Sequence, residues 1–466
     1  MSRGRVLVAM SGGVDSSVAA WLLLRQGYEC VGATMRLAPN EDDRPGERTC
    51  CSVDDVADAR AACWRLGIRH YVFDYTREFD RDVIAPFVAA YEAGTTPNPC
   101  VACNRHLKFG ALLDRALDLG CDYLATGHYA RVARDGAMPA GEHGARAGAE
   151  AGADNAGASI AGAEYAGAGM AEAGAAGSGA SLGGNVQPAD RARPERARET
   201  GRLHLLKGVD AAKDQSYFLF GLTQERLAHV LLPLGGLVKA TQVRRLAEEA
   251  GLAVAHKRDS EGICFVPGGD HARFIEERTG HAAGEGEVLD AQGNVLGHHH
   301  GALRYTLGQR KGLGVASDRP LYVCALDVGA NTVTLGDTAD LMSRELVASD
   351  WNWISGTAPT VDEASRATAA RASGNEAQPA KAASKAGDVP WPVDETSAAP
   401  AFRASAKVRY HQPDQPCVIY PQTDGLVRIV FDEPQRAVTP GQAVVVYRGE
   451  ELLGGGTILR TVRARG

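Results

Sequence analysis

The stretch Ala9-Met10-Ser11-Gly12-Gly13-Val14-Asp15-Ser16-Ser17, "AMSGGVDSS", decides the fold. Before it, residues 5–10, "RVLVAM", read as a short apolar strand, and after it a helix is predicted over about 16–26. A glycine-rich turn from the end of a strand into the start of a helix points successive backbone N–H groups at one spot. The positive end of the helix adds to them, and together they make an anion site. Gly12 and Gly13 let a phosphate approach the backbone closely. Ser11, Ser16 and Ser17 add hydroxyl donors, and Asp15 is the residue able to hold Mg²⁺. No lysine follows the glycines, so this is not a Walker A loop.

Working outward, strand and helix signals alternate. "YECVGATMR" over about 28–36 is a second strand. A helix over 53–66 ends at Gly67, and "HYVFDY" is a third strand. A helix over about 107–119 ends at Gly120, before "CDYLATGHY". This order predicts a parallel sheet with helices on both faces. Residues 222–283 read as mostly helical. After about 284 short strands recur between turns, the pattern of a small antiparallel barrel or sandwich. Two stretches, 136–199 and 356–400, are dominated by small residues. They carry too few large apolar side chains to offset ordering entropy and are expected to be mobile insertions.

The chain has 466 residues, and 50 Lys and Arg stand against 57 Asp and Glu, a net charge of -7. That balance is not that of a general nucleic-acid binder, so any RNA contact must rest on local basic patches. No apolar run approaches the ~20 residues of a membrane span, and no signal peptide is visible. A cytoplasmic location without membrane association is expected. Ten cysteines in a chain of this length favour catalysis, metal or buried thiols over a disulfide framework.

The second chemical signal is Gly94 to Phe109, "GTTPNPCVACNRHLKF". Pro97 and Pro99 flank Asn98 and stiffen the loop. With a helix opening at Leu107, Cys103 lies near a helix N-terminus, beside Arg105 and Lys108, where the reactive thiolate is favoured. The bland alternative is a structural pair or half a zinc site; a full zinc site would want a second CxxC or paired histidines at the right spacing. "LATGHYAR", Leu124 to Arg131, places Gly127 and His128 at the C-terminal edge of a strand, where open parallel sheets bind ligands. "KDQSYFLFGL", Lys213 to Leu222, is by itself only an amphipathic segment.

The phosphate loop, TPNPxxxCN, ATGHYAR, KDQSYFL, "DSEGICFVP" and "YTLGQRKGLG" follow one another in an order that resembles the tRNA-specific 2-thiouridylases of the ATP pyrophosphatase (PP-loop) superfamily. The resemblance covers nearly the whole chain outside the two small-residue stretches. It implies an α/β architecture in three parts. Residues 1–221 would form a parallel-sheet PP-loop domain of the adenine nucleotide alpha hydrolase type. A small helical tRNA-binding domain would span 222–283, and an antiparallel β-barrel 284–466. It implies ATP-dependent 2-thiolation of the wobble uridine of tRNA. The 2-carbonyl is adenylated, and sulfur arrives from a cysteine persulfide or a cluster, with AMP and pyrophosphate released.

Residue by residue, the resemblance places ATP on Ala9, Met10, Ser11, Gly12, Gly13, Val14, Asp15 and Ser16, with Met35 and Gly127 on the adenine side, and Mg²⁺ on Asp15. Asn98 would lie near the target base, and Cys103 would be the catalytic cysteine. His128, Lys213, Asp214, Gln215, Arg409, Tyr410 and Gln442 would touch tRNA. A sulfur-donor protein relay is implied as a further partner. In the usual form of the family, as read here, an Asp stands where this chain has Cys100. A second, persulfide-carrying cysteine is expected just after the YFL string, where this chain has Phe220. On that reading Cys100 either takes the partner-thiol role or joins Cys103 and Cys51 (or Cys50) around an iron–sulfur cluster. Two rival classes are an amide-forming PP-loop synthetase acting on a small molecule, which needs neither a reactive CxxC nor an RNA-gripping barrel, and a non-enzymatic thiol or metal binder, which leaves the phosphate loop unexplained.

Overall fold

In the computed structural model, five strands lie parallel in the order β3-β2-β1-β4-β7. They are β1 (Arg5–Ala9), β2 (Glu29–Arg36), β3 (His70–Asp74), β4 (Tyr123–Ala125) and β7 (Val230–Leu231). The structure describes residues 2–38, 53–135, 201–259, 262–281, 284–359 and 400–463. The middle strand β1 is a continuous apolar run because both of its faces are covered, with Val6, Leu7 and Val8 fully buried. One face packs against the helices Val14–Arg25 and Val53–Arg65, through residues such as Val18, Leu22, Ala59 and Cys63. The other face packs against the cysteine-bearing helix, through Leu107, Leu112 and Leu113. This is the two-faced parallel sheet that the alternation of elements predicts.

The cysteine-bearing helix begins earlier than expected. It opens at Pro99, not at Leu107, and runs as Pro99–Ala102, Cys103–Leu112 and Leu113–Asp118, with a kink at Gly110. Asn98 is its N-cap, and its side-chain oxygen accepts from the Val101 N–H at 3.4 Å. A proline at the first helical position behind an asparagine cap is a strong helix start. Cys100 therefore sits in the first turn, and Cys103 lies one turn further in on the same face.

The strands after residue 284 fall into two sheets. β8 (Gly286–Leu289), β9 (Val295–His299), β10 (Tyr322–Asp327) and β11 (Thr332–Gly336) make a four-stranded sheet over a small core that includes Val288, Val323 and Val333. β12 (Met342–Trp353), β13 (Phe402–Lys407), β14 (Gln415–Pro421), β15 (Val427–Arg436), β16 (Ala443–Arg448) and β17 (Glu451–Arg463) follow in the order β12-β15-β14-β13-β16-β17. β12 also pairs with β17, so these six antiparallel strands close into a barrel. Closure removes the sheet edges.

Residues 222–283 hold short helices, Arg244–Glu249 and His271–Thr279 among them, but also supply β7 to the parallel sheet. β5 (Ala130–Arg134) and β6 (Leu203–Lys207) form a hairpin that extends the barrel sheet through the pairing of β6 with β17. Chain from the N-terminal half thus becomes part of the C-terminal sheet. Among the described residues no helix is long and apolar enough to cross a membrane.

The expectation of mobile insertions falls almost wholly outside the described residues. The described flanks of the first stretch do bear on it. β5 and β6 pair in register up to Arg134 with Leu203, and the Asp135 N–H donates to the Arg202 carbonyl at 3.0 Å. The two ends are therefore already one hairpin step apart. Replacing residues 136–200 by a short Asn-Gly turn should keep the melting temperature within about 2–4 °C of the parent, a change of order 1 kcal/mol or less. A larger drop in a thermal scan would show that the stretch contributes to the core.

Candidate active site

The turn after β1 takes its shape from Gly12 and Gly127. Gly12 has φ +69°, and a Cβ there would lie 2.2 Å from the Asp55 carbonyl oxygen. A Cβ on Gly127 would lie 2.9 Å from the Ser16 nitrogen. Gly127 therefore packs the end of β4 directly under the turn. Inside the turn, the Ser11 N–H donates to Ser16 Oγ at 3.2 Å, and the Ser17 hydroxyl donates to the Gly13 carbonyl at 2.9 Å.

Asp15 lies at the centre of an ion-pair network. One oxygen accepts from the Tyr129 hydroxyl at 2.6 Å, and the other faces the Lys239 ammonium at 2.6 Å. Burial, with the Asp15 charge beside it, holds the Tyr129 phenol far above its usual range, so it stays a donor. Lys239 is only 6% exposed and also reaches Asp259 at 2.9 Å. Asp259 takes two further cations, Lys213 at 2.9 Å and Arg244 at 3.3 Å. A second cluster lies alongside. Lys257 donates to the Gly12 carbonyl at 3.0 Å and pairs with Asp55 at 2.7 Å and Asp58 at 2.6 Å.

A cavity of about 300 Å³ opens beside the turn. Of the residues expected at the site, Ala9, Met10, Ser11, Asp15, Ser16, Met35, Cys100, Cys103, Gly127, His128 and Gln215 line it. Gly12, Gly13 and Val14 complete the turn, with Gly13 capping the helix that begins at Val14. Cys264 lines the same cavity, together with its neighbours Ile263 and Phe265. Three thiols therefore face one space. Cys100 is exposed, Cys264 half-buried and Cys103 buried. Phe220, where a partner thiol was expected, is packed in the core at 2% exposure. The sequence analysis missed Cys264, Lys239, Lys257 and Asp259. For Cys264 the signal was available, since it stands inside one of the six ordered motifs.

His128 is buried, and its Nδ1 shares a 2.8 Å hydrogen bond with the Thr126 hydroxyl. Burial, reinforced by the nearby Lys108 charge, pushes its pKa well below the usual histidine range, so it serves as a neutral hydrogen-bonding group. Gln215 accepts from the Tyr129 N–H at 3.1 Å. Asp214 does not present its carboxylate to a surface ligand. It is 5% exposed, accepts from the Gly208 and Ser216 N–H groups at 3.0 and 3.1 Å, and lies 3.5 Å from Lys407. Lys213 is spent on Asp259.

The three expected barrel residues lie behind the cysteine loop. The Gln442 amide donates to the Thr96 and Pro97 carbonyls at 3.1 and 3.2 Å, and the Thr96 N–H donates to the Pro440 carbonyl at 3.0 Å. Arg409 donates to the Ala437 carbonyl at 2.9 Å, and Tyr410 packs 4.5 Å from the Phe218 ring. The Gln442 and Pro440 contacts hold the loop that precedes Asn98 against the barrel.

The carboxylate at Asp15 does not fit the Mg²⁺ expected there. Asp15 uses one oxygen on Tyr129 and the other on Lys239, so it does not offer a bare carboxylate to Mg²⁺. Cys50 and Cys51 lie outside the described residues, and among the described residues no three His, Cys, Asp or Glu side chains gather as a metal site.

Asp259 gives a test of the network. Its burial opposes the charge, but hydrogen bonds from Lys239 and Lys213 prevail and lower its pKa. A lowered folded-state pKa contributes stability that is present above the unfolded value and lost as pH falls through the folded one. Urea unfolding of the parent and of Asp259→Asn between about pH 3 and pH 7 should show a gap that is widest near neutrality and closes on the acid side. A gap independent of pH would mean that Asp259 is not held as a carboxylate.

Comparison with known proteins agrees with this architecture. The tRNA methyl transferase HUP domain model matches residues 4–150 and 189–268. The tRNA methyl transferase PRC-barrel domain model matches 272–337, and the aminomethyltransferase beta-barrel domain model matches 381–458. The tRNA-specific 2-thiouridylase MnmA of Acetivibrio thermocellus is 40% identical over 460 residues, covering 98% of this chain and all of the relative. That of Symbiobacterium thermophilum is 39% identical over 462 residues, covering 98% of this chain and 93% of the relative. Among solved structures, the U34-tRNA thiolase NcsA from Methanococcus maripaludis with its [4Fe-4S] cluster is 22% identical over 28% of this chain and 39% of its own, with a TM-score of 0.19. With the parallel-sheet domain, the closed barrel and full-length relatives all in agreement, the chain belongs to the tRNA-specific 2-thiouridylase family.

Proposed function

We propose that this protein transfers sulfur to the 2-position of the wobble uridine of tRNA, using ATP to activate the 2-carbonyl. One observation carries the reading: a single cavity is lined both by the phosphate turn, through Ser11, Asp15 and Ser16, and by the thiols of Cys103 and Cys264. A small-molecule synthetase of the same superfamily has no use for the thiols, and a thiol carrier has none for the turn.

In this reading ATP seats its phosphates against the turn amides and the Val14–Arg25 helix N-terminus. The uridine O2 attacks the α-phosphate and pyrophosphate leaves, so C2 carries a good leaving group. A sulfur-donor protein leaves a persulfide on one cysteine of the Cys103–Cys264 pair. Its terminal sulfur attacks C2, and AMP departs with the former O2. The other cysteine, as thiolate, then attacks the inner sulfur of the C2–S–S–Cys linkage. The electron pair passes to the sulfur on C2, leaving 2-thiouridine and a Cys103–Cys264 disulfide. A thiol reductant resets the pair. Neutral His128, at the cavity wall, is suited to hydrogen-bond the base without adding charge. Unstacked bases are what RNA-modifying sites read.

Cys264 supplies the partner thiol that Phe220 leaves missing, which removes the need for Cys100 in that role. Cys103→Ser and Cys264→Ser should each stop thiolation of tRNA while ATP binding persists. Cys100→Ser should retain most of the activity in the same assay. Asp15→Ala should abolish AMP release, because Tyr129 and Lys239 lose the carboxylate that orients them at the turn. Full thiolation by Cys264→Ser, or loss of thiolation in Cys100→Ser alone, would return the partner role to Cys100.

A further inference from the structure

The helix that carries Cys103 also carries two cations just after it, and the fold sends them in different directions. From Cys103 to Leu112 the chain is wound as a π-helix, in which hydrogen bonds join residues five apart instead of four. In an α-helix the fifth residue on would stand about 140° round the axis, at roughly 100° per residue. The wider turn brings it back toward the face it started from, so Lys108 returns to the side of Cys103. Both line the cavity beside the phosphate turn, and the Lys108 charge is felt by buried His128 in the same wall. Arg105 points elsewhere. It pairs with Asp350 of β12 and lines a separate cavity of about 250 Å³ with Asn104, Phe218 and Asn352.

Lys108 is the one lysine or arginine among the described residues that line the catalytic cavity. The cations nearest the turn are committed to carboxylates: Lys239 to Asp15 and Asp259, Lys213 and Arg244 to Asp259, and Lys257 to Asp55 and Asp58. The Val14–Arg25 helix and the cysteine-bearing helix cover opposite faces of the parallel sheet. Lys108 therefore enters the cavity from the side of Cys103 and not from that of the turn.

The two chemical steps put new charge in different places. In adenylation the α-phosphate gives up pyrophosphate, and negative charge forms on the departing β-phosphate oxygen, toward the turn amides. In sulfur transfer a C–S bond forms at C2 and the C2–O bond to AMP breaks. The electron pair of that bond goes to the phosphate oxygen, so AMP leaves with one more negative charge than it carried as the ester. A fixed cation at that oxygen stabilises the departure without a proton transfer, and preorganised charge placed where charge develops is commonly the largest catalytic effect. His128 does not supply it, because burial holds it neutral.

We propose that Lys108 is a catalytic residue of the transfer step: its ammonium group meets the AMP phosphate and stabilises it as it leaves C2. The inference rests on the reading that this cavity activates the wobble uridine with ATP, and it adds the group that answers the leaving group.

The test uses the full chain with ATP, a tRNA transcript bearing a wobble uridine, and sodium sulfide, whose hydrosulfide ion can displace AMP from C2 directly. Pyrophosphate release reads the first step, and mass spectrometry of the digested RNA counts adenylated and thiolated uridine. Lys108→Met should release pyrophosphate in the first turnover within about threefold of the parent rate, slow thiolation about a hundredfold or more, and accumulate adenylated tRNA. Lys108→Arg keeps the charge and should recover most of the thiolation. Arg105→Met removes a cation from the same helix outside the cavity and should leave both steps near the parent rates. Equal loss of both steps in a folded Lys108→Met, or thiolation at the parent rate, overturns the assignment and leaves the functional reading standing. Absence of pyrophosphate release by the folded parent overturns both.

Discussion

The site depends on one buried ammonium group. Lys239 is nearly inaccessible to solvent, and burying an ion costs several kcal/mol after relaxation unless opposite charges and hydrogen bonds compensate. Here Asp15 and Asp259 provide that compensation at 2.6 and 2.9 Å. The two carboxylates come from distant parts of the chain, one in the turn after β1 and one beyond the Arg244–Glu249 helix. Meeting Lys239's requirement therefore brings the turn, β7's successor segment and the approach to Cys264 to one point. Tyr129, whose hydroxyl completes Asp15, ties the start of β5 to the same point.

The barrel acts on the site through the cysteine loop. Thr96 and Pro97 are held by Gln442, and the Pro440 carbonyl takes the Thr96 N–H. That fixes the approach of the chain to Asn98, which caps the helix carrying Cys100 and Cys103. The β5–β6 hairpin extends the barrel sheet through β17. The family resemblance gives the barrel to tRNA, and Gln442, Arg409 and Tyr410 with it. In the folded chain the Gln442 amide holds the cysteine loop, Arg409 bonds to the Ala437 carbonyl within the barrel, Tyr410 packs on Phe218, and Asp214 is buried.

Local chemistry was legible in the sequence and long-range charge was not. The turn from Ala9 to Ser17 reads directly, because glycine placement, strand and helix are all short-range features. The helix start could have been read better: Asn98 followed by Pro99 is a cap and a first helical position, and it moves the start from Leu107 to Pro99. Lys239 could not be found by pattern. It stands in a stretch that reads as an ordinary amphipathic helix, and its partner Asp15 is 224 residues away. Cys264 stands in an ordered motif, but its local sequence does not mark it. It has no helix start and no adjacent basic residue to mark it as reactive, and only the folded cavity shows that it shares space with Cys103. The entry of β7 into the parallel sheet was hidden in the same way, since a two-residue strand carries no periodicity.

The arrangement of the three thiols has a mechanical consequence. Cys100 and Cys103 are on adjacent turns of one helix, so their separation is set by helix geometry and hardly changes while the helix stays intact. Cys264 stands on another segment of the chain and lines the same cavity as Cys103. A sulfur-transfer cycle needs two thiols that stand apart while one carries sulfur and close together when the other resolves the linkage. Only a pair drawn from separately anchored segments can do both. The pair that meets this condition is Cys103, fixed on the helix whose cap is held by the barrel, and Cys264, placed between the ion-paired Asp259 and the aromatic anchor of Phe265. The two partners are thus held by different parts of the fold, Cys103 by the capped helix and Cys264 by the aromatic packing of its neighbour Phe265.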